Sequence, residues 1–124
     1  MRKSPYHHGN LRQVLLEQAL KLIEADGLAA LSLRKVAKQA GVSSGAPYHH
    51  FKNKNELVAA LAQHSLEKLE AISIEATEAH DLPQEKLKAL GVAYILYAVS
   101  HPAEFRLGFG AEQNASFMSR PSQD

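Results

Sequence analysis

Cysteine is absent from this sequence. That excludes disulfides and thiolate-bound metal sites. No apolar run approaches the roughly 20 residues that cross a bilayer as a helix. Arg2 and Lys3 are basic, but no apolar segment follows them, so the start does not read as a secretory signal. No alternating strand pattern, internal repeat or low-complexity segment is visible. The sequence also lacks HExxH, a glycine-rich phosphate loop and any nucleophile motif. These absences lead us to expect a helical, cytoplasmic, non-enzymatic protein with no cofactor and no membrane partner.

What is present is 124 residues, 45% hydrophobic and 22% charged. That suits one packed domain, or one small module and part of a second. The net charge of +1 conceals an asymmetry. Residues 1–56 carry nine Lys/Arg against four acids, which gives +5. Residues 57–124 carry five against nine, which gives −4. A basic head on an acidic body suits a polyanionic partner for the head.

Helical spacing organises the chain. Residues 1–9 are polar, contain Pro5 and Gly9, and read as an arm. Asn10 and Gln13 have capping-box spacing. Leu11, Val14, Leu15, Ala19, Leu22 and Ile23 then predict a helix, with Gly27 as its terminator. Ser32 is the expected cap of a second helix, whose stripe is Leu33, Val36, Ala37 and Ala40. Gly41 can adopt the left-handed conformation of a sharp turn. Ser43 is the expected cap of a third helix over 44–51, which starts tightly at Pro47 and turns Phe51 to the core.

Asn53 and Glu56 predict a second capping box and a long fourth helix. Its stripe is Leu57, Val58, Leu61, Ser65, Leu69, Ile72 and Ala76. Residues 80–83 break it, and Asp81 is the expected cap of a fifth helix. Leu87, Leu90, Gly91, Tyr94, Ile95 and Ala98 mark a broad apolar face there. His101 and Pro102 end it. A short sixth helix is expected over 103–109, followed by a loose tail over 110–124.

The second and third of these helices, joined at 41–43, make a helix-turn-helix outline. In readers of this type the second helix enters the major groove N-terminus first. Here that end offers Ser44, Gly45 and Ala46, small enough for close approach to base edges. The Ser44 hydroxyl can donate or accept, and the Ala46 methyl can meet a thymine methyl. On an α-helix, Ser44, Gly45, Tyr48 and His49 would share one face. Arg34, Lys52 and Lys54 supply cations nearby. Metal binding by His49 and His50 fits poorly, because adjacent helical residues diverge by about 100°. His64 and Glu67 share a helix face and read as a surface pair.

The stretch "SLRKVAKQAGVSSGAPYHHFKNKNEL" resembles the DNA-binding domain of TetR-family transcriptional regulators. The carriers are "VA…AGVS", "YHHF" and "KNKNEL" leading into a long helix, within about residues 10–60. The resemblance implies an all-α fold. Three N-terminal helices would form a helix-turn-helix DNA-binding domain (1–56), and a long helix would connect it to a helical ligand-binding and dimerising body (57–109). It places Arg34 and Ser44 at bases or phosphate, and Tyr48, His50 and Lys54 at phosphates. The full candidate DNA-binding set is Ser32, Arg34, Ser43, Ser44, Gly45, Ala46, Tyr48, His49, His50, Lys52 and Lys54. Tyr94, Tyr97, Phe105 and Phe109 are candidate pocket residues, although such spacing equally marks core.

The implied partners are double-stranded DNA, a second copy of the chain and a small-molecule effector. The implied function is ligand-responsive repression of transcription. By family standards the body is incomplete after the sixth helix. The alternative is therefore a truncated interaction protein that pairs with a full-length homologue and alters its DNA binding.

Overall fold

The computed structural model describes residues 10–118. The expected arm, and the tail beyond residue 118, lie outside them. The described residues form five α-helices: α1 (Leu11–Asp26), α2 (Leu33–Ala40), α3 (Lys54–Glu78), α4 (Pro83–Ser100) and α5 (Pro102–Met118). Two 3₁₀ segments, Leu28–Ala30 and Ala46–His49, complete the inventory, and no strand occurs among the described residues. The all-α expectation is met. The chain forms two compact units, one up to Ala60 and one from Leu61; α3 starts in the first and continues into the second.

The stripes read from the sequence supply most of the core of the first unit, and Leu16 joins it from outside the α1 stripe. Leu15, Leu16, Ala19 and Ile23 of α1 are buried, as are Leu33, Val36 and Ala37 of α2. Leu31, Pro47, Phe51 and Leu57 are buried with them. Burying a side chain of this size contributes about 1.5–3 kcal/mol.

Local chemistry sets the helix ends. Ser32 Oγ accepts from the Lys35 amide at 3.1 Å, the expected cap of α2. Gly41 closes that helix at φ 75°, ψ 30°. Its amide donates to Lys38 O at 3.2 Å, and the Val42 amide donates to Ala37 O at 3.0 Å. This pair of bonds is a Schellman motif, which needs a left-handed residue where glycine stands. The turn of the helix-turn-helix is therefore fixed by one backbone conformation.

Three expected caps fail. Asn10 adopts φ −105°, ψ 0°, in the helical rather than the extended region, and its side chain makes no capping bond. Gln13 instead reaches Glu17, at 3.4 Å. Ser43 gives its backbone carbonyl, not its hydroxyl, to the Ala46 amide. Leu82, not Asp81, precedes α4, because Pro83, whose fixed φ suits the first helical position, starts the helix one residue later than an Asp81 cap requires. At α3, Asn53 Oδ1 accepts from the Glu56 amide at 3.0 Å as expected. Glu56 reaches back one residue further than expected, to the Lys52 amide at 2.9 Å.

In the second unit, Ser65, Leu69, Tyr97, Ala103 and Glu104 are buried. Ser73 and Thr77 return their hydroxyls to the carbonyls four residues back, and Lys86 Nζ donates to Thr77 O at 2.7 Å near the end of α3. The expected core face of α4 is only partly right. Leu87 is 72% and Ile95 64% exposed, while Tyr97 turns inward at 4%. The helix expected over 103–109 continues to Met118, so the part of the tail up to that residue is helical.

Candidate nucleic-acid interface

The segment expected as a third α-helix is a turn followed by the 3₁₀ segment Ala46–His49. Pro47 stands at its start, lacks an amide and is buried. The tighter helix turns about 120° per residue. Gly45 and Tyr48 then align, as do Ala46 and His49, in place of the four-residue face expected from α-helical spacing. The segment is pinned behind: the Phe51 amide donates to Pro47 O at 2.9 Å, and Phe51 is 2% exposed.

With Pro47 and Phe51 inward, the polar groups face out. Ser43, Ser44, Gly45, His49 and His50 are exposed, and Tyr48 is 57% exposed. Ala46 is half-buried, as the residue joining turn to 3₁₀ segment. Arg34, in the first turn of α2, and Lys52, just before α3, are also exposed. Ser32 differs from these, because its hydroxyl oxygen is already engaged as the α2 cap. Lys54 differs too. Its Nζ donates to Ala29 O at 3.4 Å, so one of its donors already has an internal acceptor. An ammonium has three donors, and two remain.

Among the described residues, the one ion pair is Lys68–Glu104, in the second unit. The cations Arg34, Lys52 and Lys54 therefore carry no carboxylate partner. The arrangement can present hydroxyl, phenol, imidazole and cationic donors to a polyanion, with the backbone of Ser44 and Gly45 open to close approach. No group of three or more potential metal ligands occurs among the described residues.

The candidate pocket aromatics pack on each other. Phe105 meets Tyr97 edge-on at 5.8 Å and Tyr94 at 6.4 Å, and stacks on Phe109 at 5.8 Å. Tyr97 lines an open recess of about 310 Å³, shared with Lys68, Ile72, Ala93, Leu96, Ser100 and His101. The Tyr97 hydroxyl donates to Glu104 Oε2 at 2.6 Å, and Lys68 Nζ lies 3.4 Å from the same oxygen. Burial first, then the bond to Glu104 and its charge, push the Tyr97 phenol well above its ordinary range. Ser65 Oγ is buried with no partner at full hydrogen-bond geometry, and its weak pull on that phenol runs the other way. Sequence spacing missed this network, because Tyr97 and Glu104 lie on different helices across the Pro102 break.

Residues 15–61 match the model of the bacterial regulatory proteins of the tetR family. The HTH-type transcriptional regulator BetI of Rhizobium meliloti is 33% identical over 79 residues, which are 64% of this chain and 39% of that protein. A solved structure of a protein of unknown function from Rhodococcus sp. RHA1 is 39% identical, with TM-score 0.75 over 87% of this chain and 56% of that one. The ketosteroid transcriptional regulator KstR2 of Mycobacterium tuberculosis is similar at 28% identity and TM-score 0.68, over 94% of this chain and 59% of that one. The chain thus spans about 39–59% of the length of these proteins.

Proposed function

This chain carries a TetR-family N-terminal domain, and on that premise we propose that it is a DNA-binding transcriptional regulator acting as a repressor. The observation that carries the reading is the outward turn from Ser43 to His50, clamped on Pro47 and Phe51 and flanked by cations with no carboxylate partner. Ser44, Gly45 and Ala46 would approach base edges. Tyr48, His49, His50, Arg34, Lys52 and Lys54 would hold phosphates, and Ser32 and Ser43 would border the contact. Small contact residues make shape a large part of the readout.

The active species would be a homodimer, since two reading turns match two half-sites about one helical turn apart. The exposed Leu87, Ile95 and Val99 of α4 support assembly through the second unit. A small-molecule effector would act there too, at a recess such as that beside Lys68 and Tyr97. The protein would work in the cytoplasm and catalyse no reaction. No helix among the described residues is long and apolar enough to cross a membrane.

Selection from a pool of randomised duplexes tests the reading. The chain should enrich an inverted repeat with half-sites about 10 base pairs, or a multiple, apart. A pool that stays random after repeated rounds would contradict it.

A further inference from the structure

We propose that Arg12 is a further phosphate contact of the DNA face, held ready by stacking on Phe51. The proposal rests on the DNA-binding reading above and adds a residue from a different helix. Arg12 lies in the first turn of α1. Its guanidinium carbon stands 5.4 Å from the centroid of the Phe51 ring. Phe51 is the residue that closes the outward turn, and its ring also meets that of His50, at 6.2 Å. One aromatic ring therefore supports both a proposed phosphate-facing imidazole and a guanidinium brought from α1.

The stack leaves the chemistry of Arg12 available. A cation over a ring is held by the negative face of the ring, so the contact spends none of the five N–H donors of the guanidinium on a hydrogen-bond acceptor. That fork matches two oxygens of one phosphate. Among the described residues no carboxylate lies within ion-pair distance of Arg12. The side chain is exposed, so a ligand can reach it. A freely rotating surface arginine would lose rotamer freedom on binding, and the Phe51 stack has already removed part of that freedom. The competing role is simpler: Arg12 covers one face of Phe51 and does nothing more. The two roles differ in what they move. A cover affects stability, and a phosphate contact affects counterion release.

The test uses the full chain, a labelled duplex carrying the selected repeat, and four proteins: wild type, Arg12→Ala, Arg12→Lys and Lys21→Ala. Kd is measured across a salt series, and melting is followed for each protein. Losing one phosphate contact should flatten the slope of log K against log salt by about 0.9 per reading turn. Arg12→Ala should show that change, weaken binding about tenfold on every duplex, and melt close to wild type. Arg12→Lys should keep the wild-type slope and lose part of the affinity, because an ammonium keeps the charge but not the fork. Lys21→Ala, further along α1, should match wild type. If wild type binds and Arg12→Ala keeps its full slope, the inference is overturned while the DNA-binding reading stands. If Arg12→Lys is flattened like Arg12→Ala, the charge is not what matters and the inference is again overturned. If wild type binds no duplex at low salt, the underlying reading fails and takes the inference with it.

Discussion

Gly91→Ala and Gly108→Ala make the same chemical change in two helices, and only the first should stabilise the protein. Gly91 lies in α4, is exposed, and has nothing within 4 Å of where a Cβ would stand. Alanine there should gain the helix propensity that glycine lacks, about 0.8–1 kcal/mol. Gly108 lies in α5 and is buried. A Cβ there would stand 2.9 Å from Ser65 Cβ, 3.3 Å from the Ser65 carbonyl carbon and 3.4 Å from the Leu66 amide nitrogen. Two of these neighbours are backbone of α3, which cannot rotate aside. Overpacking of this kind costs about 1–3 kcal/mol, which cancels or exceeds the propensity gain. The two variants should therefore differ by about 1–3 kcal/mol. Urea titration resolves that, because at a slope of about 2 kcal/mol/M it separates midpoints by about 0.5–1.5 M. Ser65→Ala supplies a control. It removes a buried, unpartnered hydroxyl but keeps the Cβ, so it should leave the Gly108→Ala defect in place. Equal stabilisation by the two glycine replacements would refute the close approach of α5 to α3.

The remaining predictions concern the turn, the buried phenol and the outward face. Gly41→Ala meets no atom within 4 Å but keeps φ near 75°, so it should cost about 1–2 kcal/mol by strain alone, with Gly41→Asn milder; calorimetry that finds both neutral would argue against the left-handed turn. Tyr97 keeps its proton in the folded state after an unfolded tyrosine would lose it, so its contribution to stability is complete below pH ~10 and falls as pH rises beyond that. Tyr97→Phe should flatten the alkaline decline of stability, and denaturation curves that decline in parallel above pH ~10 would show that the phenol is not protected. Tyr48→Phe should weaken every duplex alike, by about 1.5 kcal/mol, since a phosphate contact carries little sequence information; a changed base preference in competition binding would assign Tyr48 a different role.

The parts of the fold that were legible were those with a local cause. Ser32 caps α2 and Gly41 ends it because both need only their own neighbours, and Leu15, Ala19, Ile23, Leu33, Val36 and Ala37 bury as spaced, while Leu11, Val14, Leu22 and Ala40 stay half-buried. The third helix departs from α-helical spacing, because Pro47 tightens it into a 3₁₀ turn and changes which side chains align. Asn10 carries a capping side chain, yet its backbone conformation withholds it, and no residue type reveals that. Leu87 and Ile95 have the pattern of core, and their exposure depends on what packs against α4, which spacing does not specify. The candidate interface was visible as residue types at spacing. Arg12 was not, because its place beside Phe51 depends on a contact 39 positions away in the chain.

The central claim is that the turn from Ser43 to His50 meets DNA. A map of amide chemical-shift changes, recorded as the isotope-labelled chain is titrated with its selected duplex, tests it most directly. The account predicts the largest changes at Arg12, Ser32 to Arg34 and Ser43 to Lys54, each reduced as salt rises. Changes concentrated on α4 and α5, with residues 43–54 unmoved, would contradict it.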